Sequence, residues 1–66
     1  QDAKFLEEYI KDLVMQMPTQ RKRVFVLSSF KHKTNKEIAQ ILNISEKTVE
    51  VHITLALKQL REKLND

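Results

Sequence analysis

Residues 34–56 read TNKEIAQILNISEKTVEVHITLA. Thr34 followed three positions later by Glu37 fits a capping box, in which each side chain satisfies a free backbone N–H of the other. Ile38, Ala39, Ile41 and Leu42 recur at helical spacing and give that helix an apolar face. Asn43 tolerates the left-handed conformation and makes a good stop. Ile44 plugs the bend that follows. Ser45 caps a further helix, with Glu46 favourable in its first turn. Along that helix Val49, Ile53, Ala56 or Leu57, Leu60 and Leu64 repeat over about four turns. A small residue at Ala39 permits close approach, and Val49 anchors the second helix from below. Ala39 stands four positions before Asn43, and Asn43 six before Val49. That is the spacing of a helix-turn-helix.

The rest of the chain reads as further helix. Glycine is absent, Pro18 is the lone proline, and no stretch alternates as a strand does. Residues 2–15 place Phe5, Leu6, Tyr9, Ile10, Leu13 and Val14 on one face, with Asp2 as a plausible N-cap. Pro18 ends that helix and begins the next. The second helix runs to about Ser29, and its segment Val24, Phe25, Val26, Leu27 is apolar on nearly every side, as in a central helix. Phe30 is expected to close against the core, and Met15 and Met17 to fill it. Lys31, His32 and Lys33 form a short basic connection. The expected fold is all-α: one four-helix domain over 1–66, with helices at about 2–15, 18–29, 34–42 and 46–63 and no wing.

Sixty-six residues without cysteine exclude a disulfide or thiolate-metal staple. The 41% apolar content must therefore be buried efficiently. No apolar run reaches the length of a membrane span and no signal peptide is visible, so a cytoplasmic protein is expected. The first residue is Gln1 rather than Met, and the expectation is a piece of a longer chain. Residues 1–18 carry a net charge of −2 and residues 19–66 a net +5. Arg21, Lys22, Arg23, Lys31, Lys33 and Lys36 fall together with no acid among them. Such an arc attracts polyanions. No Gly-rich phosphate loop, paired-histidine metal motif or cysteine nucleophile is present, so neither an enzyme nor a cofactor or metal site is expected.

With Val49 and Ile53 facing inward, Glu46, Lys47, Thr48, Val51, His52 and Leu55 fall outward or to the flank. These types suit base edges in a major groove. Lys47 could reach guanine acceptors, Thr48 and Val51 thymine methyl groups, His52 a base acceptor or phosphate, and Glu46 cytosine N4. Helix three begins with Thr34, Asn35 and Lys36, whose N–H groups could hold phosphates. Lys31, Lys33 and Lys58 add non-specific attraction. Exposed Val51 and Leu55 equally suit a protein contact, which keeps open an adaptor module that no longer binds DNA.

Residues 17–64 resemble region 4 of bacterial sigma factors, especially the extracytoplasmic-function group. MPTQRKRVFVLSSF is similar to that family's first block, where a Leu-Pro or similar pair precedes a helix carrying Arg-x-Val-Phe. TNKEIAQILNISEKTVEVHITLALKQLREKL is similar to its second. The DNA-binding domain of LuxR/NarL-type response regulators also shows NKEIA followed by ISEKTVEVH, and would imply a dimer on a two-fold symmetric site. Val24 to Asn35 spans eleven positions, as in sigma factors, where the LuxR type usually has ten. Both families usually place Gly-Leu where this chain has His32-Lys33, so His32 must make the turn the glycine served. The sigma resemblance implies promoter minus-35 recognition and a grip on the β-subunit flap of RNA polymerase. It further implies a monomer, and possible contact with an anti-sigma factor. By the same resemblance Glu46, Lys47, Thr48, Val51 and His52 would face bases, and Thr34, Asn35, Lys36 and Ser45 would hold the backbone.

Overall fold

The computed structural model describes residues 3–65. Among them four α-helices and one π-helical turn follow in order, with no strand. Helix α1 spans Ala3–Met15, α2 spans Thr19–Phe25, α3 spans Asn35–Leu42 and α4 spans Glu46–Leu64; Val26–Phe30 is the π-helical turn. Asp2, the expected cap of the first helix, lies outside the described residues.

Two apolar clusters hold the bundle. Leu13 and Val14 of α1, with Met17, meet Phe25 of α2 and Ala56 and Leu60 of α4. Val24 of α2, Ile38 and Ala39 of α3 and Val49 of α4 form the second, flanked by Leu27, Leu42, Ile44 and Ile53. Consecutive residues of a helix point about 100° apart, so Val24 and Phe25 each serve a different cluster. This is why α2 is apolar on several sides. Val24, Ile38 and Val49 are each 0% exposed, and burying each contributes about 1.5–3 kcal/mol.

From Phe5 onward, the first helix enters this core with its C-terminal half alone. Leu13 and Val14 are buried, Ile10 is half-buried, and Phe5, Leu6 and Tyr9 are exposed. Met17 fills the core, but Met15 does not: it is 64% exposed. On α4, Ala56 rather than Leu57 takes the inward position, and Leu64 lies beyond the core.

Residues 18–29, expected as a single α-helix, are wound in two ways. Pro18 precedes α2 as its N-cap, and its carbonyl accepts from the Lys22 N–H over 2.9 Å. After Phe25 the coil widens, and the Lys31 N–H reaches back five residues to the Val26 carbonyl. Five residues are about 1.4 turns of α-helix, which would set Phe25 and Phe30 on different sides. The wider winding brings them together edge-on, with ring centroids 6.2 Å apart. Phe30 is thus a lid on Phe25 rather than a core residue, and it stays 42% exposed. The Lys33 N–H then closes onto the Leu27 carbonyl at 2.9 Å. His32, at φ 57°, takes the left-handed turn that a glycine would make more cheaply.

Candidate nucleic-acid interface

The bend between α3 and α4 rests on backbone chemistry that its residues can supply. Thr34 and Glu37 form the complete capping box: the Thr34 N–H donates to Glu37 Oε1 over 2.9 Å, and the Glu37 N–H to Thr34 Oγ1 over 3.1 Å. The Thr34 backbone N–H, against an opposing desolvation and with help from Lys33 and the Thr34 hydroxyl, holds the Glu37 carboxyl below its ordinary pKa. With those two N–H groups satisfied, the Asn35 and Lys36 N–H groups have no intrahelical acceptor and point out of the helix start.

At the other end of α3, Asn43 adopts φ 58° and ψ 47°. Its N–H and that of Ile44 both donate to the Ala39 carbonyl, the latter over 3.0 Å. Ala39 is thus the pivot twice over: its small side chain sits in the core, and its carbonyl fastens the turn. Ser45 caps α4 by accepting from the Thr48 N–H at 3.0 Å, and its hydroxyl donates to Thr48 Oγ1 at 2.9 Å.

Val49, Ala56 and Leu60 fix the inward direction of α4. At about 100° per residue, Val51 lies about 160° from Val49, close to diametrically opposite. Glu46, Lys47, Val51 and Leu55 are exposed. Thr48 is half-buried, and its oxygen is engaged by Ser45. His52 sits about 60° from Val49 by the same winding. It is half-buried on the flank, and its Nδ1 is buried without a hydrogen-bond partner among the described residues. Thus Lys47 and Val51 share the crest of the helix, while Thr48 and His52 line its shoulders.

Thr54 also belongs to the crest, about 140° from Val49, and Glu50 stands on the shoulder about 100° away; both are exposed beside Val51. Sequence reading passed over both, although a helical wheel centred on Val49 finds them. Lys31, Lys33, Thr34 and Lys36 are exposed around the start of α3, and Asn35 is half-buried. Ser45 is exposed at the start of α4. Lys58 is exposed on the crest, eleven residues beyond Lys47 and so about 16 Å further along the axis. A second feature lies on another side: an apolar groove of about 420 Å³ lined by Met15, Lys22, Arg23, Val26, Leu27 and Leu42.

Two helices locked at a left-handed Asn43, the second presenting a polar crest from a buried Val49, define a helix-turn-helix of the DNA-binding class. The model of the family described as sigma-70, region 4 matches residues 7–60. The chain belongs to this family, a family of DNA-binding sigma factor domains rather than of enzymes, and the one favoured by the eleven-residue step from Val24 to Asn35. Comparison with curated proteins and with solved structures gives no match. Among the described residues no helix is long and apolar enough to cross a membrane.

Proposed function

We propose that this chain recognises the promoter minus-35 element as the region 4 domain of a sigma factor, working in the cytoplasm as a monomer. The observation that carries the reading is the fastening of Asn43 and Ile44 to the Ala39 carbonyl, with Val49 fully buried behind the exposed Lys47–Val51 crest. Glu46, Lys47 and Val51 meet base edges from the first two turns of α4, and Thr48 and His52 reach the groove walls from its shoulders. Thr34, Asn35, Lys36 and Ser45 hold phosphates at the two helix starts, while Lys31, Lys33 and Lys58 add charge around them.

The apolar groove between Met15 and Leu42 has the character needed to take the polymerase β-flap, and its rim of Lys22 and Arg23 favours an acidic occupant. The same groove, or the exposed Leu6 and Tyr9 of α1, suits an anti-sigma factor.

Selection from a random-sequence duplex pool tests the reading. A single asymmetric motif bound by one chain is expected. A two-fold symmetric motif bound by two chains, or no enrichment over bulk DNA, overturns it. Capture of polymerase without any DNA enrichment is the outcome that an adaptor module requires, and exposed apolar α1 keeps that reading available. Met15→Asp should abolish retention of the flap while leaving the selected motif unchanged.

A further inference from the structure

The crest of α4 carries a shallow depression of about 210 Å³, lined by Lys47, Glu50, Val51, Thr54 and Leu55. These positions are successive neighbours on one helical face. The floor is hydrocarbon: Val51 is 45% exposed and Leu55 38% exposed, and Thr54 stands beside them with its γ-methyl. An apolar floor on a helix proposed to face DNA suits few of the groups there, because phosphates and most base-edge atoms call for hydrogen bonds. One feature of the major groove does not. The 5-methyl group of thymine is the apolar group that a base edge presents there.

The rim supports the same assignment. Lys47 lies one turn before Val51, and Lys58 stands on the crest beyond Leu55, so the ends of the depression attract a duplex. Glu50 lies at its side, where a carboxylate repels phosphate and accepts from exocyclic amino groups. The depression therefore faces base edges rather than backbone.

We infer that Val51, Thr54 and Leu55 form a reader of thymine 5-methyl groups, so that the domain's preferred element contains thymines identified by their methyls. This rests on the DNA-binding reading above and names the chemistry by which that surface discriminates. Discrimination comes from desolvating the methyl against the Val51 floor, with no hydrogen bond to the base.

The test uses the duplex selected from the random pool, resynthesised with deoxyuridine replacing one thymine at a time. Deoxyuridine keeps every hydrogen-bonding atom and removes only the methyl. At the thymine over Val51, the wild-type chain should lose about fourfold in affinity, the effect of one buried methyl. Val51→Ala should weaken the thymine duplex by a similar factor and bind the thymine and deoxyuridine duplexes alike. Alanine at this exposed position favours helix, so folding is maintained, and circular dichroism checks it. A selected duplex whose affinity is indifferent to every deoxyuridine overturns the methyl reader and leaves the DNA-binding reading standing. So does a Val51→Ala chain that keeps the wild-type deoxyuridine penalty. Absence of any selected duplex removes both.

Discussion

Arg21 and Gln59, thirty-eight positions apart, are joined by a 2.7 Å hydrogen bond from the guanidinium Nη1 to the amide Oε1. The bond ties the first turn of α2 to the fourth turn of α4 at a half-buried site. Arg21 Nε is buried there without a hydrogen-bond partner among the described residues. Gln59→Ala should cost about 1.5 kcal/mol, because a bond to a charged donor is lost and the guanidinium stays in place. Arg21→Met removes donor and orphan Nε together and should cost less. The check is the urea midpoint at unchanged m-value; equal losses for the two variants would contradict the account.

The two left-handed residues make opposite predictions. Asn43 at φ 58° is already a good residue for that conformation, and Asn43→Ala should destabilise by about 1 kcal/mol. His32 at φ 57° is a poorer choice. His32→Gly should stabilise by about 0.5 kcal/mol, the relief of strain exceeding the greater freedom of glycine in the unfolded chain. Thermal midpoints read both, at about 4–8 °C per kcal/mol for a domain of this size.

Glu37 gives a pH dependence of known sign. Its carboxyl titrates below its ordinary value of 4.5 because the Thr34 backbone N–H bonds the ionised form. A depressed folded-state pKa stabilises the protein at pH values above the unfolded pKa, and that contribution disappears as pH falls through the folded one. Denaturation midpoints should therefore decline on acidification below 4.5. The decline in Glu37→Gln should be shallower, with acidic residues elsewhere accounting for what remains. Identical slopes for the two proteins would show that the capping carboxylate is energetically silent.

The roles proposed for Lys36 and Lys47 separate positioning from reading. Lys36→Ala should weaken all duplexes alike and flatten the salt dependence by about one unit, since one phosphate contact is lost. Lys47→Ala should relax the preference at a single base pair by about 1–3 kcal/mol. Filter-binding titrations over a salt series, on the selected duplex and on bulk DNA, distinguish them. A Lys36→Ala effect confined to one sequence would sink the phosphate assignment.

The bend is legible in the sequence because everything that makes it is local. Thr34 with Glu37, Ser45 with Thr48, and Ala39 with Ile44 all interact within five residues, so type and spacing suffice. The partners of α1 are not local. Phe5, Leu6, Tyr9 and Met15 sit at correct helical spacing, yet a bundle this small lacks the surface to cover them, and spacing carries no information about that. The shoulder position of His52 was available from the helical wheel, since Val49 sets the inward direction and three residues advance about 300°. The same angles place Thr54 about 140° from Val49, which residue type alone does not reveal. The winding of Val26–Phe30 is local too, but its apolar-then-serine composition does not distinguish α from π.

That winding fixes where the chain tolerates a change in length. Val26–Phe30 closes with a five-residue reach where an α-helix closes with four. One residue is therefore held in slack between the Val24 and Ile38 halves of the second cluster. A shorter relative needs only to rewind this coil as α-helix to keep those two side chains in register, and α3 need not move. Insertions and deletions within α3 or the bend from Asn43 to Ser45 have no such reservoir and would rotate α4 away from its support.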